Sequence, residues 1–169
     1  MKKIITAIIL AILLMASTSL WAAGSCTQST ATPIYNSEGW TSMSKIVFAC
    51  TGDIAGGTVG TIPDQPLSAA NSDFIKGKYL YTVRAYKTTG GTQPDAADVS
   101  VKDSHGTDLL GGKGVNLIPA TDIKNETFPY NAFNSTYWFP SLDDGSLTLS
   151  VANQITASAT FTVEYILSR

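Results

Sequence analysis

The sequence is poor in the side chains that carry chemistry. One histidine, two cysteines and a charged fraction of 14% are spread over 169 residues. Two cysteines and one histidine leave few soft ligands for a metal. His105 stands beside Ser104 in the turn Asp103-Ser104-His105-Gly106, and no nucleophile-elbow sequence surrounds it. A histidine-dependent nucleophile therefore has no visible basis. Gly56-Gly57 and Gly111-Gly112 lack the lysine and hydroxyl that complete a phosphate-cradling loop. A formal net charge of −2 is too small to mark a nucleic-acid or anionic-membrane partner. The basic residues Lys45, Lys76, Lys78 and Arg84 are scattered among strand-like segments. No long 3.6-residue hydrophobic period appears, which argues against the layered α/β architectures of most enzymes. These absences point to a protein that is not an enzyme and has no cofactor.

Residues 1–23 have the order of a secretory signal peptide. Lys2 and Lys3 precede an apolar run from position 4 to 16, and the small residues Ala22, Ala23, Gly24 and Ser25 follow. That run is short of the roughly 20 residues a spanning helix needs, so no transmembrane segment is expected once the signal is removed. The remainder keeps all 13 acidic residues but loses two lysines, which makes it more acidic than the whole chain. The expected location is outside the cytoplasm, periplasmic or extracellular. Cys26 admits two readings. An even cysteine number in an exported chain favours a Cys26–Cys50 disulfide. The small residues before Cys26 also suit lipidation and outer-membrane anchoring, which would consume its thiol.

After position 23, serine and threonine are abundant, and hydrophobic residues alternate with polar ones. Ile46, Phe48 and Cys50 share one parity. So do Tyr79, Tyr81, Val83 and Ala85; Val99 and Val101; Leu147, Leu149 and Val151; and Phe161, Val163, Tyr165 and Leu167. A period of two places one face in a core and the other in water. Shorter strands are expected over 57–62 and 115–118. Turns at Thr51-Gly52-Asp53, Gly90-Gly91, Asp103-Ser104-His105-Gly106, Gly111-Gly112 and Asp143-Asp144-Gly145 separate these runs. The pattern predicts six to eight strands in an all-β antiparallel β-sandwich, with jelly-roll and Ig-like topologies both open. One domain is expected over 44–169, preceded by an N-terminal arm over 24–43.

Several segments carry a family resemblance. They are Gly77-Lys78-Tyr79-Leu80-Tyr81-Thr82-Val83, then Asp98-Val99-Ser100-Val101-Lys102-Asp103 with Gly106-Thr107-Asp108-Leu109-Leu110-Gly111-Gly112, and Gly145-Ser146-Leu147-Thr148-Leu149-Ser150-Val151. Together they resemble small β-rich phage virion-associated proteins over residues 44–169. The resemblance implies a structural, decoration-like role without chemistry. The secretory signal departs from that family's pattern and implies use on or outside a cell.

Two constellations remain. Phe128, Tyr130, Phe133, Tyr137, Trp138 and Phe139 crowd into one short segment between Pro119 and Pro140. Large rigid aromatics on a loop suit a protein interface or a sugar-stacking platform, and they also suit a connection folded over the end of a sandwich. Asp95, Asp98, Asp103, Asp108, Asp143 and Asp144 sit near turns. There they form Asx turns, and Asp103, Asp108, Asp143 and Asp144 are weak candidates for holding Ca²⁺, although no EF-hand spacing is present. The leading expectation is an exported structural or surface protein that binds a protein partner or its own copies. The alternatives are a small carbohydrate-binding module using the 128–139 loop and a calcium-stabilised extracellular domain.

Overall fold

A computed structural model describes residues 24–35, 42–53 and 62–169. The expected signal over 1–23, Gly56-Gly57 and all but Ile62 of the expected strand over 57–62 lie outside the described residues. Among the described residues, eleven strands and one short helix follow one another. They are β1 (Ser25–Gln28), β2 (Thr32–Ile34), β3 (Met43–Thr51), β4 (Ile62–Pro66), α1 (Ala69–Ile75), β5 (Tyr79–Lys87), β6 (Asp98–Lys102), β7 (Lys124–Thr127), β8 (Tyr130–Asn131), β9 (Thr136–Tyr137), β10 (Thr148–Ala152) and β11 (Thr160–Ser168). The large sheet runs β1-β3-β11-β5-β7, with β2 also on β3, and the smaller sheet runs β4-β10-β6. β8 and β9 form a separate hairpin. Every strand pairing is antiparallel. The chain is an all-β, antiparallel, sandwich-like single domain.

Alternation decides the core. Ile46 and Phe48 from β3, Phe161, Val163, Tyr165 and Leu167 from β11, and Val83 and Ala85 from β5 are fully buried on the inner face of the large sheet. Val99, Val101, Leu149 and Val151 meet them from the smaller sheet in one continuous cluster. Phe48 and Tyr165 pack with ring centroids 4.9 Å apart. Burying a side chain of this size contributes about 1.5–3 kcal/mol, so the inner faces dominate the folding free energy.

Residues 25–34 are tied to the large sheet. β1 and β2 both pair with β3, so the segment expected as an arm adds two short strands to the large sheet. Cys26 stands opposite Cys50 in that ladder, and the two form the disulfide. The bonded Cys26 has no thiol left for a lipid. Asn71 on α1 holds the same segment from the other side. Its Oδ1 accepts from the Ala31 N–H at 3.0 Å, and its Nδ2 donates to the Ser29 carbonyl at 2.9 Å. Ser68 caps α1 by accepting from the Asn71 N–H.

Two expectations need correction. Residues 115–118 form no strand: turns run through 111–116, and Ile118 makes only an isolated bridge to Ala97. On β5 the parity shifts. Leu167 pairs with Leu80 and Ile166 with Thr82, leaving Tyr81 as the extra residue of a β-bulge. Leu80 therefore enters the core, while Tyr79 and Tyr81 leave it. Among the described residues, no helix is long and apolar enough to cross a membrane.

Candidate binding face

The displaced Tyr81 starts an aromatic cluster. Its ring stacks on Phe139 at 5.3 Å with planes 12° apart, and meets Phe128 edge-on at 5.8 Å. Tyr137 then touches Phe128 at 6.3 Å and Tyr130 at 5.4 Å, both edge-on. The Lys113 ammonium sits 4.5 Å above the Tyr130 ring. Four of these rings, Phe128, Tyr130, Tyr137 and Phe139, are among the six that the sequence singled out. Tyr81 is not, because its position depends on the bulge.

Local turn chemistry explains why the cluster faces outward. The Asn131 carboxamide oxygen accepts from the backbone N–H of Phe133 and of Asn134, closing the tip of the β8–β9 hairpin. Ser135 takes a left-handed φ of 53° to return the chain. This hairpin leaves Phe133 96% exposed and Tyr137 65% exposed. Phe128, Trp138 and Phe139 are also exposed. The segment is anchored at its base, where the Tyr130 N–H donates to the Leu109 carbonyl and the Leu80 N–H to the Pro140 carbonyl, while its rings keep solvent-exposed surface. Below it, Asp108 accepts from the N–H groups of Val101, Leu110 and Gly112. At Gly111 a side chain would run into the Tyr130 carbonyl, so glycine lets this turn approach the hairpin.

The other aspartates are also spent locally. Asp103 accepts from the N–H groups of His105 and Thr107, Asp144 from Ser146, and Asp95 from Ile155. Asp98 accepts from the Asn116 N–H, and Asp143 from the Ser141 hydroxyl. The Ser104 hydroxyl, the Ser146 N–H and the charge of His105 hold Asp144 below its ordinary value. Among the described residues, no group of three or more His, Cys, Asp or Glu gathers to hold a metal. The Asp103, Asp108, Asp143 and Asp144 set is not brought together. The His105 ring meets the Ser104 hydroxyl at an exposed turn.

The outer face of the large sheet adds a second feature that the sequence did not suggest. Glu164 lies on the solvent side of the central strand β11, yet it is only 4% exposed. Lys45 reaches its Oε1 at 3.4 Å from β3, the Tyr86 hydroxyl donates to the same oxygen at 3.1 Å, and Lys124 reaches Oε2 at 3.1 Å from β7. Burial pushes the Glu164 carboxyl up, but Lys124, Lys45 and Tyr86 more than offset this and hold it below its ordinary value. Burial first, and then the charge of Glu164, raises the Tyr86 hydroxyl. One rung further along, Arg84 Nε meets Glu126 Oε1 at 3.0 Å.

The two features are joined by shared strands: Tyr81 and Arg84 lie on β5, and Phe128 follows directly after β7. Lys124 and Glu126 point the same way from β7, and Phe128 follows two residues later. At about 3.3 Å per residue, the lysine and the ring lie about 13 Å apart along the chain. A cleft of about 340 Å³ opens between Ile34, Lys45, Arg84, Lys124, Glu164 and Ile166. A second, of about 470 Å³, continues past Tyr86, Lys87, Asp122 and Lys124. The face thus combines exposed rings with fixed polar groups.

No protein-family model matches the sequence, and no curated protein matches it. Distant structural likenesses exist. One is to a chain of the cyanophage Pam1 capsid asymmetric unit, with 16% identity, a TM-score of 0.38, and coverage of 75% of this chain and 82% of that one. Another is to the CBM22-1 xylan-binding domain of Xyn10C from Paenibacillus barcinonensis, with 14% identity, a TM-score of 0.36, and coverage of 88% and 81%. A third is to the C-terminal family 22 carbohydrate-binding module of Xyn10B from Clostridium thermocellum, with 16% identity, a TM-score of 0.32, and coverage of 90% and 88%.

Proposed function

We propose that this chain is an exported, non-catalytic binding module that takes a carbohydrate chain on the outer face of its large sheet and on the adjoining 128–139 segment. The observation that carries this reading is the aromatic cluster of Tyr81, Phe128, Tyr130, Tyr137 and Phe139, held by ring contacts, with Phe128, Tyr137 and Phe139 exposed and Tyr81 and Tyr130 half-buried. A sugar ring offers an apolar C–H face and a rim of hydroxyls. Exposed rings match the first, and tyrosine hydroxyls, Arg84 and Glu126 match the second. The disulfide suits an oxidising compartment, which supports export.

Affinity electrophoresis of the protein through gels containing neutral and acidic polysaccharides tests this. Retention by at least one polysaccharide is expected. Tyr137→Ala should abolish it while leaving the melting temperature within about 2 °C, because Tyr137 is largely exposed and surface changes cost little. Free migration through every gel would refute the reading.

A second reading, self-association, is favoured by Phe133, whose apolar ring stands almost wholly in water at the hairpin tip. Native mass measured over a wide concentration range decides it. A dimer that Phe133→Ser dissociates supports self-association, and a monomer throughout removes it.

A further inference from the structure

The Lys45–Glu164–Lys124 cluster has a composition that a purely structural ion pair does not need. One buried carboxylate receives two ammonium groups, one on each oxygen. A single lysine would already satisfy the charge. Both lysine side chains remain partly exposed, at 40% and 46%, so each keeps donor capacity on the cleft side. Arg84 enters the same cleft, using its Nε on Glu126. The lining therefore holds three cations against one anion, Glu164. Glu164 is pinned by Tyr86 as well, and Lys124 is steadied 4.7 Å above the Tyr86 ring. Few degrees of freedom are left to lose when a ligand arrives.

Resting on the carbohydrate reading above, the geometry points to an anionic ligand: the cleft takes the carboxylate of an acidic sugar residue, a hexuronate, while the neighbouring rings at Phe128 and Tyr81 carry the next sugars of the chain. The ligand carboxylate shares Lys45 and Lys124 with Glu164 and meets the free edge of Arg84. Glu164 thus does two things. It prepositions the lysines, and it competes with the ligand for them. The cleft, about 340 Å³, lies in the size range of small-ligand pockets.

The test uses the full chain and three acidic polysaccharides (polygalacturonate, alginate and hyaluronate), each beside its carboxyl-reduced, neutral counterpart. Titration calorimetry is the readout, at about 50 mM and about 500 mM salt. At least one uronate is expected to bind at least tenfold tighter than its reduced form, and to weaken at high salt. Lys45→Gln should weaken that uronate about tenfold, the size of one charge-assisted hydrogen bond. Lys124 and Tyr86 still hold Glu164 in this variant, so the fold is retained. Glu164→Gln should act in the opposite direction and tighten uronate binding several-fold. A purely structural role would make both substitutions neutral or weakening. Equal affinity for charged and reduced forms would overturn the inference and leave the carbohydrate reading standing. Binding of polyglutamate as tight as of any uronate would also overturn it. Silence toward every polysaccharide would overturn both.

Discussion

Replacing Cys26 and Cys50 together by alanine removes the covalent tie between β1 and β3 and frees the unfolded chain. The two cysteines are 24 residues apart. On the loop-closure model, a loop of that length lowers the entropy of the unfolded state enough to stabilise the fold by about 3.5 kcal/mol. For a chain of this size, each kcal/mol moves the melting temperature by about 3 °C, so the variant should melt about 10 °C lower. With a typical urea slope of about 2 kcal/mol/M, its midpoint should fall by about 1.5–2 M. Equilibrium urea unfolding followed by tyrosine and tryptophan fluorescence measures this, and the unmodified protein under reductant gives an independent second arm. The native sheet should persist in both arms at low urea, because Asn71 and the β1–β3 ladder still hold the segment. A stability loss below about 1 kcal/mol in both arms would refute the loop-closure reasoning. Intact mass of the protein isolated from the expressing cells checks the competing chemistry, since a lipid on Cys26 adds acyl mass and leaves Cys50 titratable by thiol reagents.

Two further predictions concern single buried groups. Because the folded Glu164 carboxyl lies below its ordinary value of 4.5, its ion pairs contribute stability that is present above that value and lost as pH falls through the folded one. Urea midpoints measured from pH 7 down to pH 2.5 should therefore fall less steeply for Glu164→Gln than for the unmodified protein, and parallel curves would contradict the linkage. The Tyr165 hydroxyl is buried with no hydrogen-bond partner among the described residues, so Tyr165→Phe should be neutral or stabilise by about 1 kcal/mol. A clear destabilisation in the same urea assay would mean that this oxygen has a partner.

Strands whose two faces see different media were legible in the sequence. The parities of β3, β6, β10 and β11 place Phe48, Val101, Leu149 and Val163 in the core as read. Where the outcome depended on a distant partner, the reading failed. Tyr81 alternates correctly with Val83 in sequence, and only the ladder with β11 reveals the bulge that turns it outward. The strand β7 carries no hydrophobic alternation, because it is an edge strand whose residues Lys124 and Glu126 serve the outer face. Glu164 looked like an ordinary wet-face residue of β11. Its burial comes from Lys45, 119 positions away, and from Tyr86 and Lys124 on other strands. The aromatic segment was recognisable by composition alone, but its exposure was not. That depends on the Asn131 turn, which closes the hairpin tip and leaves Phe133 in water.

The place of β11 has a consequence for how the molecule comes into being. It is the last described strand in the chain, yet it lies between β3 and β5, which have no ladder with each other. A chain emerging amino end first can close the β1–β3 ladder early, but the middle of the large sheet stays vacant until residues 160–168 arrive. Until then the apolar faces of β3 and β5 have no lid, and the ring of Phe48 has no Tyr165 to meet. Assembly is therefore an all-at-once event driven by contacts of long sequence separation, which makes it slow. The large sheet stiffens only when β11 slides into the gap between β3 and β5.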